Sequence, residues 1–272
     1  MKQRIITALI MAAVAVALLA LGGVVLAAAI VGIICFAVYE EYSALQKAGH
    51  HPLSWPTWAG MVLSVPLLAL GGAKLLVPVA ISVALVTVGC IVFRREPKLE
   101  DISYSLLPFI SVVLPGMAIL SLTGINPKSV QVTYLCLLIA IPCVGDIFAL
   151  YVGSTFRGPK LCPAVSPNKI ISGAIGGLIG SLVASLLVGV IAYLFAIKSR
   201  AVLPSWGDYM LLGLIGGAAG QVGDLFASLI KRHCGIKDFS NLFPGHGGML
   251  DRLDSVIFMA AVMFCYRILN IL

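Results

Sequence analysis

IISGAIGGLIGSLVASLLVGVIAYLFAI, residues 170–197, runs its whole length without a charged side chain until Lys198. As a helix rising 1.5 Å per residue it reaches about 40 Å, enough to cross a hydrocarbon core roughly 30 Å thick. Its glycines fall four apart, Gly173 with Gly177 and Gly176 with Gly180, and the stretch 209–230 repeats the device at Gly213 with Gly217 and Gly216 with Gly220. Such small-residue faces let helix backbones approach closely in lipid, so both stretches are expected to pack tightly against neighbouring helices.

Working outward, the apolar block 5–39 is too long for one crossing and breaks at Gly22 and Gly23, which predicts two. Further spans are expected over 57–72, 75–93, 103–122, 130–151, 209–230 and 255–272. The fold class is all-α, a polytopic integral membrane protein with about nine transmembrane helices. Composition agrees: 60% of the 272 residues are hydrophobic, 11% are charged and the mean hydropathy is +1.08, which no soluble globule covers with a polar surface. Residues 1–28 resemble a secretory leader, with Lys2 and Arg4 before an apolar run. That run continues to Ala37, so it is read as structure.

The formal charge of +7 sits in short loops between apolar runs, so it signals topology and not a nucleic-acid partner. With the N-terminus inside, thirteen Lys and Arg residues fall on the cytoplasmic side. Four fall opposite, Lys74, Lys128, Lys198 and Arg200, and this bias favours nine crossings over eight or ten. Seven cysteines lack zinc-ligand spacing and read as unpaired packing residues. Trp55, Trp58, Trp206 and Tyr209 read as interface anchors, and His50 and His51 as exposed loop residues.

Polarity concentrates between Gly223 and Ser255. Asp224, Ser228 and Lys231 or Arg232 share one helix face, and Asp251 and Asp254 lie three apart at the start of the last helix. Three carboxylates converging from two helices suit a hard cation such as Mg2+. Lys231, Arg232, Lys237 and Arg252 supply positive charge for phosphates, and Gly245, Gly247 and Gly248 let backbone N–H groups come close. An ionised Asp inside lipid costs about 2.5–3.5 kcal/mol, so Asp224 and Asp146 are expected to face a polar cavity. These are parts of a phosphoryl-transfer site.

Ser228 to Asp254 reads S-x2-K-R-x4-K-D-x5-P-x-H-G-G-x2-D-R-x-D. At all twelve specified positions it resembles the signature of the phosphatidate cytidylyltransferase family. A second stretch resembles that family's upstream cytoplasmic loop through Asp146, Ala149, Gly153, Thr155, Phe156, Lys160, Leu161, Pro163, Ser166, Pro167, Lys169 and Gly173. It departs where the family has Tyr, Arg and Gly, here Leu150, Ser154 and Arg157, and where Thr-Trp-Glu is replaced by Ile170-Ile171-Ser172.

The resemblance implies CTP and phosphatidic acid as substrates, CDP-diacylglycerol and pyrophosphate as products, Mg2+ dependence, and K+ as a candidate second ion. Asp224, Asp251 and Asp254 are then metal ligands, with Asp146 a further candidate. Lys231, Arg232, Lys237 and Arg252 hold phosphates; Ser228, Asp238 and His246 orient neighbours or substrate; Ser166 and Lys169 are nucleotide candidates.

Residues 1–125 would form about five N-terminal helices. Residues 126–272 would form about four catalytic ones, with cytoplasmic loops 152–169 and 231–254. Membrane lipids surround the chain, a homodimer stays open, and the short length points to a bacterial plasma membrane. The rival reading is an ion-coupled transporter, which predicts acids midway along several helices; here most sit at helix ends with Lys and Arg around them.

Overall fold

The computed structural model describes residues 2–196 and 203–271. Lys198 and Arg200, expected opposite the basic loops, lie outside the described residues. Among the described residues ten α-helices follow one another: α1 Lys2–Leu21, α2 Gly23–Lys47, α3 Trp55–Gly71, α4 Leu76–Val92, α5 Leu99–Pro108, α6 Leu114–Leu122, α7 Lys128–Phe156, α8 Ile171–Ala196, α9 Trp206–His233 and α10 Leu250–Ile271. A π-helical turn over Phe109–Val113 joins α5 to α6 just before Pro115, whose missing N–H interrupts the ordinary ladder. The break between α1 and α2 falls at the expected glycines, with φ +61° at Gly22 and +53° at Gly23.

Among the described residues five helical runs are long and apolar enough to cross a bilayer: Gly23–Lys47, Leu99–Leu122, Lys128–Phe156, Ile171–Phe195 and Trp206–His233. Leu9–Leu21, Trp55–Leu70 and Leu76–Val92 are shorter apolar helices. The chain is thus a helical integral membrane protein, with one departure from the all-α expectation. The expected loop 152–169 is largely structured: α7 extends to Phe156, and β1 Lys160–Cys162 pairs antiparallel with β2 Ser166–Ile170. The other expected loop, 231–254, is narrower than expected, because α9 continues to His233 and α10 begins at Leu250.

Two compact units divide the chain, and each draws on α9 and α10. The first comprises residues 1–123 and 231–252. Its interior holds Ile34, Val38, Leu45, Ile91, Phe109 and Met117. The buried Tyr42 hydroxyl lies 2.7 Å from both the Ser105 carbonyl and the Thr57 hydroxyl, tying together α2, α3 and α5. Glu41, fully buried, accepts a hydrogen bond from the Ser111 hydroxyl at 2.8 Å.

The second unit comprises residues 124–230 and 253–272. Here α8 is turned inside out relative to a soluble helix: Ile175, Ile179, Val183, Leu187 and Leu194 are exposed, as suits lipid, while Gly173, Gly177, Ser181 and Ser185 face protein. A Cβ on Gly173 would sit 2.9 Å from the Ala149 carbonyl, and one on Gly213 2.9 Å from the Leu182 Cα. The spaced glycines are therefore helix contacts, as their pattern predicts. The Ser181 hydroxyl donates to the Ile141 carbonyl at 3.0 Å and fastens α8 to α7. Tyr209 corrects its reading as an interface anchor. It is buried, with its ring edge 3.0 Å from where a Cβ on Gly189 would stand.

Candidate active site

The polar segment of the first unit is built from a turn upward. Phe243 N–H donates to the Gly247 carbonyl at 2.9 Å, and His246 N–H to the Phe243 carbonyl at 2.8 Å. Pro244 fits the second position of this turn by its fixed φ, and Gly245, at φ +76°, fits the third. Gly247 follows at φ +81°, and a Cβ there would also stand 2.9 Å from Asp251 Oδ2. The turn brings the chain back to the start of α10. His246 Nδ1 is buried and has no hydrogen-bond partner among the described residues.

Two carboxylates receive the backbone donors at the start of α10. Asp251, 5% exposed, accepts from Phe239 N–H at 2.8 Å and Gly248 N–H at 2.9 Å through Oδ2, while Oδ1 lies 2.7 Å from Lys231 Nζ. Lys231 also sits 5.5 Å from the centroid of the Phe239 ring. Glu40, from α2 and 3% exposed, accepts from Met249 N–H at 3.0 Å, Leu250 N–H at 2.8 Å and the Ser240 hydroxyl at 2.6 Å. A Cβ on Gly248 would stand 2.7 Å from that carboxylate, so glycine is the residue that fits. Negative charge here satisfies the open N–H groups of α10 and complements its dipole.

Around this braced core, Arg232, Lys237, Asp238 and Arg252 are exposed. Cys234 is buried beside them, and burial, with the Glu41 charge as a smaller contribution, pushes its thiol up. None of the seven cysteines forms a disulfide, and Cys234 alone among them is buried; Cys90, Cys143 and Cys265 are exposed, which corrects their reading as packing residues.

In the second unit, Asp224 on α9 forms an ion pair with Lys169 on β2, with side chains 29% and 26% exposed. The hairpin thus carries its nucleotide candidate to α9, and Ser166, half-buried, opens the same strand. Ser228 is half-buried one turn beyond Asp224. Where a Cβ on Gly223 would stand, the Phe258 ring is 2.8 Å away and the Asp254 carbonyl closer still, so α9 and α10 abut beside Asp224 and Asp254. Asp254 Oδ1 accepts from Ser255 N–H at 2.8 Å. Asp146 is exposed on α7.

These carboxylates fit a hard cation unequally. No group of three or more His, Cys, Asp or Glu side chains is gathered as a metal site among the described residues. Asp224 and Asp254 carry hard oxygens on touching helix segments, and Asp224 already draws a cation, Lys169. Asp251 has three of about four acceptor positions occupied, one of them by a Lys ammonium. Glu40 had no signal in the 228–254 pattern. Its trace is an acidic pair, Glu40-Glu41, ending an apolar run, which must find partners if it is buried.

The chain also matches known proteins along nearly its full length. Residues 2–269 match the model of the cytidylyltransferase family. A protein named phosphatidate cytidylyltransferase from Brucella abortus biovar 1 (strain 9-941) is 30% identical over 269 residues, 98% of this chain and 93% of that protein. One of the same name from Rickettsia prowazekii (strain Madrid E) is 35% identical over 176 residues, 62% of this chain and 72% of that protein. Another, from Aquifex aeolicus (strain VF5), is 39% identical over 142 residues, 52% of this chain and 49% of that protein. With the resembling segment folded around buried carboxylates and the match spanning both units, this chain belongs to the cytidylyltransferase family of enzymes.

Proposed function

We propose that the enzyme transfers a cytidylyl group from CTP to phosphatidic acid, forming CDP-diacylglycerol and pyrophosphate at the cytoplasmic face of a bacterial plasma membrane that it crosses nine times. The observation that carries this reading is the braced segment 231–252, in which Asp251 and Glu40 consume the inward-facing donors and leave Arg232, Lys237 and Arg252 exposed for anionic substrates. A phosphate oxygen of the lipid attacks the α-phosphorus of CTP. The bond from that phosphorus to the bridging oxygen breaks, and pyrophosphate leaves with the electron pair. No enzyme nucleophile is needed; positioning and charge neutralisation are the catalytic tasks.

The exposed guanidinium and ammonium groups bind phosphate oxygens. His246, with its unpartnered ring nitrogen, orients substrate from the turn. Lys169 and Ser166 serve the nucleotide from the hairpin, and Ser228 and Asp238 orient neighbouring groups. In the second unit Asp224 and Asp254 would hold Mg2+, with Asp146 a further ligand; in the first unit Asp251 keeps one acceptor position at Oδ1 for a cation, and K+ is the candidate second ion. When bound, the divalent ion supplies charge neutralisation at the phosphates.

The test is the purified protein in detergent with CTP, Mg2+ and phosphatidic acid. Release of pyrophosphate that requires the lipid is expected. Release without lipid, or none, would contradict the reading.

A further inference from the structure

At positions that the signature leaves unspecified or does not reach, three heteroatoms of the first unit meet at the end of α9. His50, in the connection after α2, and His233, the last residue of α9, bring their Nε2 atoms to 2.9 Å. The Tyr104 hydroxyl on α5 lies 3.0 Å from the same His233 nitrogen. The imidazole planes are 7° apart with centroids at 5.0 Å, so the nitrogens are much closer than the rings and the two meet edge to edge. The Tyr104 ring lies 4.0 Å from His50, centroid to centroid. His233 is exposed, so water and solutes reach the group.

As a purely protein contact this arrangement is under-supplied. Two neutral imidazoles share one proton between facing nitrogens, and His233 Nε2, with a single lone pair or a single hydrogen, is approached by two partners. A metal ion would replace the shared proton and use all three heteroatoms. In a tetrahedral zinc site, nitrogens 2.0–2.1 Å from the metal stand about 3.3 Å apart, so the pair needs to open by only ~0.4 Å. Imidazole and phenol donors suit Zn2+, Co2+, Ni2+ or Cu2+, and not Mg2+, which takes oxygen ligands.

We propose that His50, His233 and Tyr104 form a binding site for a borderline transition-metal ion such as Zn2+, separate from the carboxylates of the phosphoryl-transfer site. The ion joins the connection after α2, α5 and the end of α9, and so clamps the residue at which the segment 234–250 begins. On binding, the proton held between the two imidazoles passes to Nδ1 of the ring that carried it, and Tyr104 coordinates as phenolate with release of its phenol proton. The site stands on these three residues and does not depend on which lipid the enzyme uses.

The test uses the full-length protein in detergent. Zn2+ binding is measured by calorimetry in two buffers of different ionisation enthalpy, and Co2+ by its visible spectrum. One ion per chain is expected, with proton release and a Co2+ spectrum that lacks a thiolate charge-transfer band. His50→Ala and His233→Ala are expected to weaken binding by at least about tenfold, while His51→Ala leaves it unchanged. His50→Gln keeps a hydrogen-bonding partner for His233 but is a poor zinc ligand. Its unaltered Mg2+-supported CTP turnover, together with lost Zn2+ binding, separates metal binding from folding. Equal binding by wild type, His50→Gln and His233→Ala, absence of saturable binding, or a thiolate band would each overturn the proposal.

Discussion

Replacing Asp251 with Asn tests whether the buried carboxylate braces the site. The change keeps size and shape but leaves a single oxygen acceptor for three donors: Lys231 Nζ, Phe239 N–H and Gly248 N–H. Removing one partner of a buried pair costs about 3–5 kcal/mol. The Lys231 side chain is 12% exposed and can turn toward water, which places the loss near the lower end, about 3 kcal/mol. The damage is local, so the amides of 239–250 should exchange with deuterium roughly a hundredfold faster, with CTP turnover lost and the rest of the chain still folded. Lys231→Met and the double variant complete a cycle whose expected coupling is about 1–3 kcal/mol. Wild-type exchange over 239–250 together with wild-type turnover in Asp251→Asn would refute the bracing argument.

Three other outcomes follow from the same geometry. Glu40→Gln exchanges a two-oxygen acceptor for a one-oxygen one; it should loosen the start of α10 by about 1–3 kcal/mol, read as faster amide exchange at Met249 and Leu250. Arg157→Gly should raise thermal stability by about 1 kcal/mol. Exposed Arg157 holds φ +51° and ψ −158°, a region essentially reserved for glycine, and relief of that strain outweighs glycine's extra unfolded entropy. Asp224→Asn should lower Mg2+-supported turnover by about a hundredfold or more with little change in melting temperature, since its ion pair with Lys169 is partly exposed.

Hydropathy made the helical runs legible because each span must satisfy its own backbone in lipid, and the break at Gly22-Gly23 and the spaced glycines of α8 and α9 carry their reason in local sequence. The cluster at the ends of α9 and α10 was equally plain, since charge in an apolar chain stands out. Long-range partners were not legible. Glu40 reaches Leu250 across 210 positions, and no periodicity links an acid at the end of α2 to amides at the start of α10. Asp251 read as a metal ligand by its spacing, yet its oxygens face Lys231 and two backbone donors, a detail only the folded turn at 243–247 creates. The hairpin escaped because Lys160–Ile170 is short and interrupted by Pro163, so neither strand alternates long enough to register. Arg157 is the converse case: the resemblance expected glycine there, and the backbone adopts the glycine conformation regardless.

The most direct measurement follows the phosphorus atom. Purified protein is given CTP labelled at the α-phosphate or, separately, at the γ-phosphate, with phosphatidic acid micelles and Mg2+. The account predicts that α-label passes into the organic-soluble lipid while γ-label appears as water-soluble pyrophosphate. If γ-label enters the lipid, or α-label stays entirely in water, cytidylyl transfer is not the reaction this chain performs.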